Sequence, residues 1–125
     1  MFEVLEKIDE LLTEEEKSLM AKFDEVNRLM GDKSIGDADL THEQNARYFE
    51  RVEILEKAIS ENDEELAFRI FIEVPRDVLL DAQKSENYEY KRALYLAMGV
   101  NLDDAIALVV KVSNLAFELA SKEQE

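Results

Sequence analysis

The stretch NLDDAIALVVKVSNLAFELA, from Asn101 to Ala120, sets the tightest limit on the fold. Plotted at about 100° per residue, Asp103, Asp104, Lys111, Asn114, Glu118 and the following Lys122 fall on one narrow polar arc. Leu102, Ala105, Ile106, Leu108, Val109, Val110, Val112, Leu115, Ala116, Phe117 and Leu119 cover the rest. Their apolar arc is about 220° wide, roughly twice the minimum expected of a surface helix. One neighbour cannot cover such a face. The remaining chain is therefore expected to pack around this helix from several sides. Asn101 fits an N-cap, and Asp103 and Asp104 in the first turn suit the helix dipole.

The other segments are helical too. In MFEVLEKIDELLTEEEKSLMAKFDEVNRLMG, apolar residues recur at Met1, Leu5, Ile8, Leu12, Leu19, Phe23, Val26 and Met30. The steps of three, four and seven are a helical period. Thr13 and Glu16 fit a capping box, but the stripe keeps its phase across them. The phase predicts one long helix over about residues 2–30, with a polar turn near Glu16 and a stop at Gly31. GDKSIGDADL has two glycines and no period, and reads as a loop. Thr41 with Gln44 opens the next helix, whose stripe is Tyr48, Val52, Leu55 and Ile59, with Phe49 beside it. Asn62 with Glu65 opens another. FRIFIEV alternates like a strand but has no second strand to pair with, so helix is expected, with a break near Val74 imposed by Pro75. ENYEYKRALYLAMG is a short helix stopping at Gly99. The expected fold is all-α: a single domain over residues 1–125, a compact bundle of about five to six helices, framed by a long N-terminal helix and an apolar, central C-terminal helix.

Composition narrows the chemistry. Only 3 Gly and 1 Pro punctuate the 125 residues, consistent with long helices. The absence of Cys removes disulfides, thiolate metal sites and a Cys nucleophile, and suits a reducing, cytoplasmic setting. MFEVLEKIDE carries acids from Glu3 onward and does not read as a signal peptide. No stretch reaches 18 uncharged apolar residues, so no membrane association is expected. The net charge is -15 and it is uneven: Met1–Glu65 holds 20 acids and 8 bases, net -12, and Leu66–Glu125 holds 10 acids and 7 bases, net -3. Such a surface repels nucleic acid and attracts basic partners.

Catalytic constellations are absent from the sequence. His42 is the one histidine, at the start of a helix. Two Glu-x-x-His motifs, as in ferritin-like metal sites, cannot be built, and no metal or cofactor is expected. Asp32–Glu43 has the outline of a calcium loop, but Gly36 stands where a ligand is wanted and Asp37 where the turn glycine belongs. There is no phosphate loop and no nucleophile elbow, so no enzymatic activity is expected.

What remains is recognition. Glu14, Glu15, Glu16, Asp24, Glu25, Asp63, Glu64 and Glu65 are the candidate acidic face, whose carboxylates can stand where the phosphates of a nucleic acid would. Tyr88, Arg92 and Tyr95, with Lys91, share one side of a helix and form a candidate aromatic-basic patch. Val110 and Phe117 lie on the edge of the C-terminal apolar arc. The expected function is a small non-catalytic inhibitor or adaptor that engages a basic, nucleic-acid-handling protein through its acidic N-terminal half. Phage-encoded inhibitors of host machinery are similar in composition. The alternative is an assembly protein, a chaperone or homo-oligomer subunit, associating through the C-terminal helix.

Overall fold

The structure, a computed structural model, describes residues 3–123. Met1 and Phe2, where the first apolar stripe begins, lie outside the described residues. Among the described residues six α-helices follow in order: α1 (Glu3–Leu11), α2 (Glu14–Met30), α3 (His42–Ser60), α4 (Glu64–Gln83), α5 (Tyr88–Ala97) and α6 (Leu102–Glu123), with short 3-10 turns at Gly31–Lys33 and Asp37–Asp39 between α2 and α3. Among the described residues there is no strand, and FRIFIEV lies within α4. The fold is an all-α bundle.

α6 packs against α1, α2, α4 and α5. Two apolar clusters lie along it. Around its first half, Leu102, Ala105 and Ile106 meet Phe23 and Val26 of α2, Ala82 of α4, and Tyr88 and Tyr95 of α5. Around its second half, Ala116 and Ala120 meet Val4 and Ile8 of α1 and Phe68 and Ile72 of α4. Tyr95, Leu102, Ile106, Val4 and Val26 are fully buried, and burial of a large apolar side chain stabilises the fold by about 1.5–3 kcal/mol. Asn101 Oδ1 accepts the Asp104 N–H at 3.2 Å and starts α6. Gly99, at φ 92°, supplies the left-handed backbone between α5 and α6, whose axes differ by 99°.

Three sequence expectations are corrected. The long N-terminal helix is two helices. Thr13 Oγ1 accepts the Glu16 N–H at 3.1 Å and Glu16 Oε1 accepts the Thr13 N–H at 2.9 Å, so the capping box forms and α2 starts afresh. The apolar phase survives the break because its two halves serve different clusters, Ile8 one and Phe23 the other. The expected break near Val74 does not occur, and Pro75 sits inside an unbroken α4. The Arg51 guanidinium of α3 explains the continuity. It bonds Glu73 Oε2 at 2.9 Å and Asp77 Oδ2 at 3.0 Å, one residue on each side of the proline. That strap spans the point where the ring deprives the helix of a backbone donor. Finally, Asp63 rather than Asn62 caps α4, accepting the Leu66 N–H at 3.2 Å, while Asn62 takes the turn at φ 58°.

The loop from Gly31 to Thr41 is fastened rather than loose. Tyr95 Oη accepts the Ile35 N–H at 2.9 Å and donates to Asn27 Oδ1 at 2.5 Å. Lys91, nearly buried, donates to the Lys33 and Ser34 carbonyls and lies 3.7 Å from Asp39. Asp39 also accepts the Gly36 N–H at 3.1 Å. A buried charge is tolerated only when paired and hydrogen-bonded in this manner.

Candidate protein-binding surface

The acidic candidates divide into two kinds. Glu14, Glu15, Asp24, Glu25, Glu64 and Glu65 are exposed. Their ion pairs are long and solvated, Lys17 to Glu14 at 3.7 Å and Lys22 to Glu25 at 3.6 Å, which is worth little. Glu16 and Asp63 have structural work. Glu16 closes the capping box and accepts a hydrogen bond from Lys111 of α6 at 2.6 Å. The Lys111 bond, then the Thr13 backbone, hold its carboxyl below the ordinary range. Asp63 is occupied as the α4 cap.

The aromatic-basic patch faces inward. Tyr88, Lys91 and Tyr95 do share one side of α5, and that side is buried against the core and the loop. Tyr95 packs on Phe23 with ring centroids 6.0 Å apart. Tyr88 donates to Asp103 of α6, and burial, then that bond, push its phenol up to about 12. The same hydrogen bond, with Arg92 nearby, lowers the Asp103 carboxyl. Arg92 is the exposed member, bonded to Asp103 at 3.2 Å. Phe117 stands edge-on to Phe68 at 6.3 Å under the Arg76 guanidinium, and Val110 is half-buried. None of the exposed large apolar residues lies on α6 among the described residues.

Exposed apolar side chains lie elsewhere, most densely on α3. Phe49 is 72 % exposed, Ile59 61 %, Ile54 47 % and Val52 38 %. The sequence stripe through Tyr48, Val52, Leu55 and Ile59 is therefore only partly inward. The helix packs on α4 as the first arm of an antiparallel hairpin, with Tyr48 reaching Asp81 and Arg51 reaching Glu73 and Asp77. Tyr48 donates to Asp81 Oδ2 at 2.5 Å, and burial, then that carboxylate, raise its phenol pKa.

The α3–α4 seam opens into a cleft of about 380 Å³ lined by Arg47, Tyr48, Arg51, Asp77, Leu80, Asp81 and Lys84. Within it Arg51 is bonded to Asp77 and to the nearby Glu73, and Tyr48 to Asp81. His42 is exposed at the start of α3. Among the described residues no three His, Asp or Glu side chains converge as a metal site. Nor is any helix there long and apolar enough to cross a membrane.

Comparison with protein families, curated proteins and solved structures finds no match.

Proposed function

We propose that this chain is a non-catalytic binding protein, an inhibitor or adaptor that engages a basic protein partner through its acidic first half. One observation carries this: most of the candidate carboxylates of that half stand in solvent, and the ion pairs of Glu14 and Glu25 are long. Glu14, Glu15, Asp24, Glu25, Glu64 and Glu65 are all exposed. Carboxylates fixed on rigid helices present a preformed negative field, which speeds association with a cationic surface and repels nucleic acid and anionic lipid. A basic, nucleic-acid-handling protein is the partner class such a field suits best, and the chain would then be a phage-type inhibitor of it.

The test is capture of partners from lysate at low and high salt. A basic protein recovered at low salt and lost at high salt supports the reading. Reversing Glu14, Glu15, Glu64 and Glu65 to Lys shifts the net charge by eight units, from -15 to -7, and is expected to abolish capture. Glu16 and Asp63 are left alone in that variant because they hold the fold. Capture that ignores both salt and the four reversals would remove the electrostatic basis of the reading.

A further inference from the structure

We propose that the outer face of α3 is the docking surface for a basic amphipathic helix of a partner protein. This rests on the acidic-binding function proposed above and gives it a place and a partner chemistry.

The apolar residues there are aligned. At about 100° per residue, Val52 and Ile59 lie within about 20° of each other, and Phe49 is about 60–80° further round. Phe49 and Ile59 are ten residues apart, about 15 Å along the axis. The track ends at a notch of about 180 Å³ beside the α3–α4 turn, lined by Ala58, Ile59, Asn62, Asp63, Glu64 and Ala67. Ala58 and Ala67 are buried and small, so the floor is low and apolar. One branched side chain of a partner fits there. Phe49 and Ile59 stay well over half exposed, and the main packing of α3 is on α4.

Charge selects the occupant. On the same wheel Glu56 lies between Phe49 and Ile59, and Glu53 is about 40° beyond Phe49. Both are exposed, and Asp63 and Glu64 rim the notch. The exposed bases Arg47 and Lys57 lie further round, and Arg51 is engaged by Glu73 and Asp77. A second copy of a chain with net charge -15 is repelled by this frame, and so is an anionic membrane. A helix with apolar residues at i, i+3 or i+4 and i+7, flanked by Lys and Arg, satisfies both the track and its frame.

The probe is a synthetic Leu/Lys amphipathic peptide of about five helical turns, titrated by fluorescence anisotropy against the full chain. A scrambled peptide of the same composition is the comparison. Binding of the amphipathic peptide at least about tenfold tighter than the scrambled one is expected. F49S with I59S is expected to lose about tenfold or more, as truncated interface anchors do. Both residues are exposed, so circular dichroism should show an intact fold. E53K with E56K should cost about tenfold, and E14K with E15K, the same charge change on α2, at most about threefold. Equal affinity for both peptides, insensitivity to F49S/I59S, or equal losses from the two charge reversals would overturn the α3 surface while leaving acidic binding standing. No binding of either basic peptide would overturn both.

Discussion

Replacing Tyr95 by Phe isolates one hydroxyl in the centre of the protein. Tyr95 is completely buried, and its Oη accepts the Ile35 N–H at 2.9 Å and donates to Asn27 Oδ1 at 2.5 Å. The Phe ring keeps the packing on Phe23, so the change is confined to the two hydrogen bonds. Asn27 is half-buried and can turn its amide to water, which makes that loss small. The Ile35 amide lies in a buried bond and is left without its acceptor. An orphaned buried donor costs about 1–3 kcal/mol, so a destabilisation of about 2 kcal/mol is expected. For a domain of this size that is a fall in Tm of roughly 6–12 °C. Urea unfolding followed by circular dichroism measures it, with an unchanged m-value showing that both end states keep their compactness. Hydrogen exchange should place the fastest local gain at Ile35 and its loop neighbours. A stability within about 0.5 kcal/mol of wild type, well below the orphaned-donor range, would refute the claim that this hydroxyl fastens the loop.

Three further outcomes are expected. Tyr48, Tyr88 and Tyr95 all have raised phenol pKa values, chiefly through burial, so their stabilisation is fully present below the unfolded value of about 10 and is lost as pH rises through the folded values, near 12 for Tyr88. Absorbance at alkaline pH should show tyrosine ionisation coinciding with loss of helix, and early ionisation of these three in an intact fold would count against it. Thr13→Ala removes the side-chain acceptor of the capping box and should cost about 1 kcal/mol, read from thermal unfolding; no change would mean the Lys111 contact alone positions Glu16. Pro75→Ala restores a backbone donor inside α4 and should stabilise by about 1–3 kcal/mol in urea titration, whereas a loss would mean the ring itself is needed by its neighbours.

The sequence made most of the helices legible and misjudged how they join. The capping box at Thr41 stands alone before a polar-flanked helix, and α3 starts there. The one at Thr13 was outweighed by the seven-residue step from Leu12 to Leu19, because phase along a stripe cannot show that its halves enter different clusters. Pro75 failed in the opposite sense. The local signal for a break was sound, but Arg51 reaches Glu73 and Asp77 from another helix, and no window around the proline contains it. For the binding surface, the shared side of Tyr88, Lys91, Arg92 and Tyr95 was legible, and its inward direction was not. That direction depends on the Ile35 amide and the Lys33 carbonyl, which are some sixty positions away. The proposed α3 track is hidden in the sequence because Val52 and Ile59 fit a core stripe equally well. The usable signal was that Phe49 widened the apolar face beyond what one neighbouring helix can cover.

Neither apolar cluster along α6 includes a residue of α3. The packing along α6 and the outer surface of α3 are thereby written into separate residues of the chain. Residues on the outer side of α3 can drift, be exchanged or be redesigned while α1, α2 and α4 to α6 keep their mutual packing. A lineage that must follow a changing target has in such an outlying helix a place to vary without risking collapse of the whole.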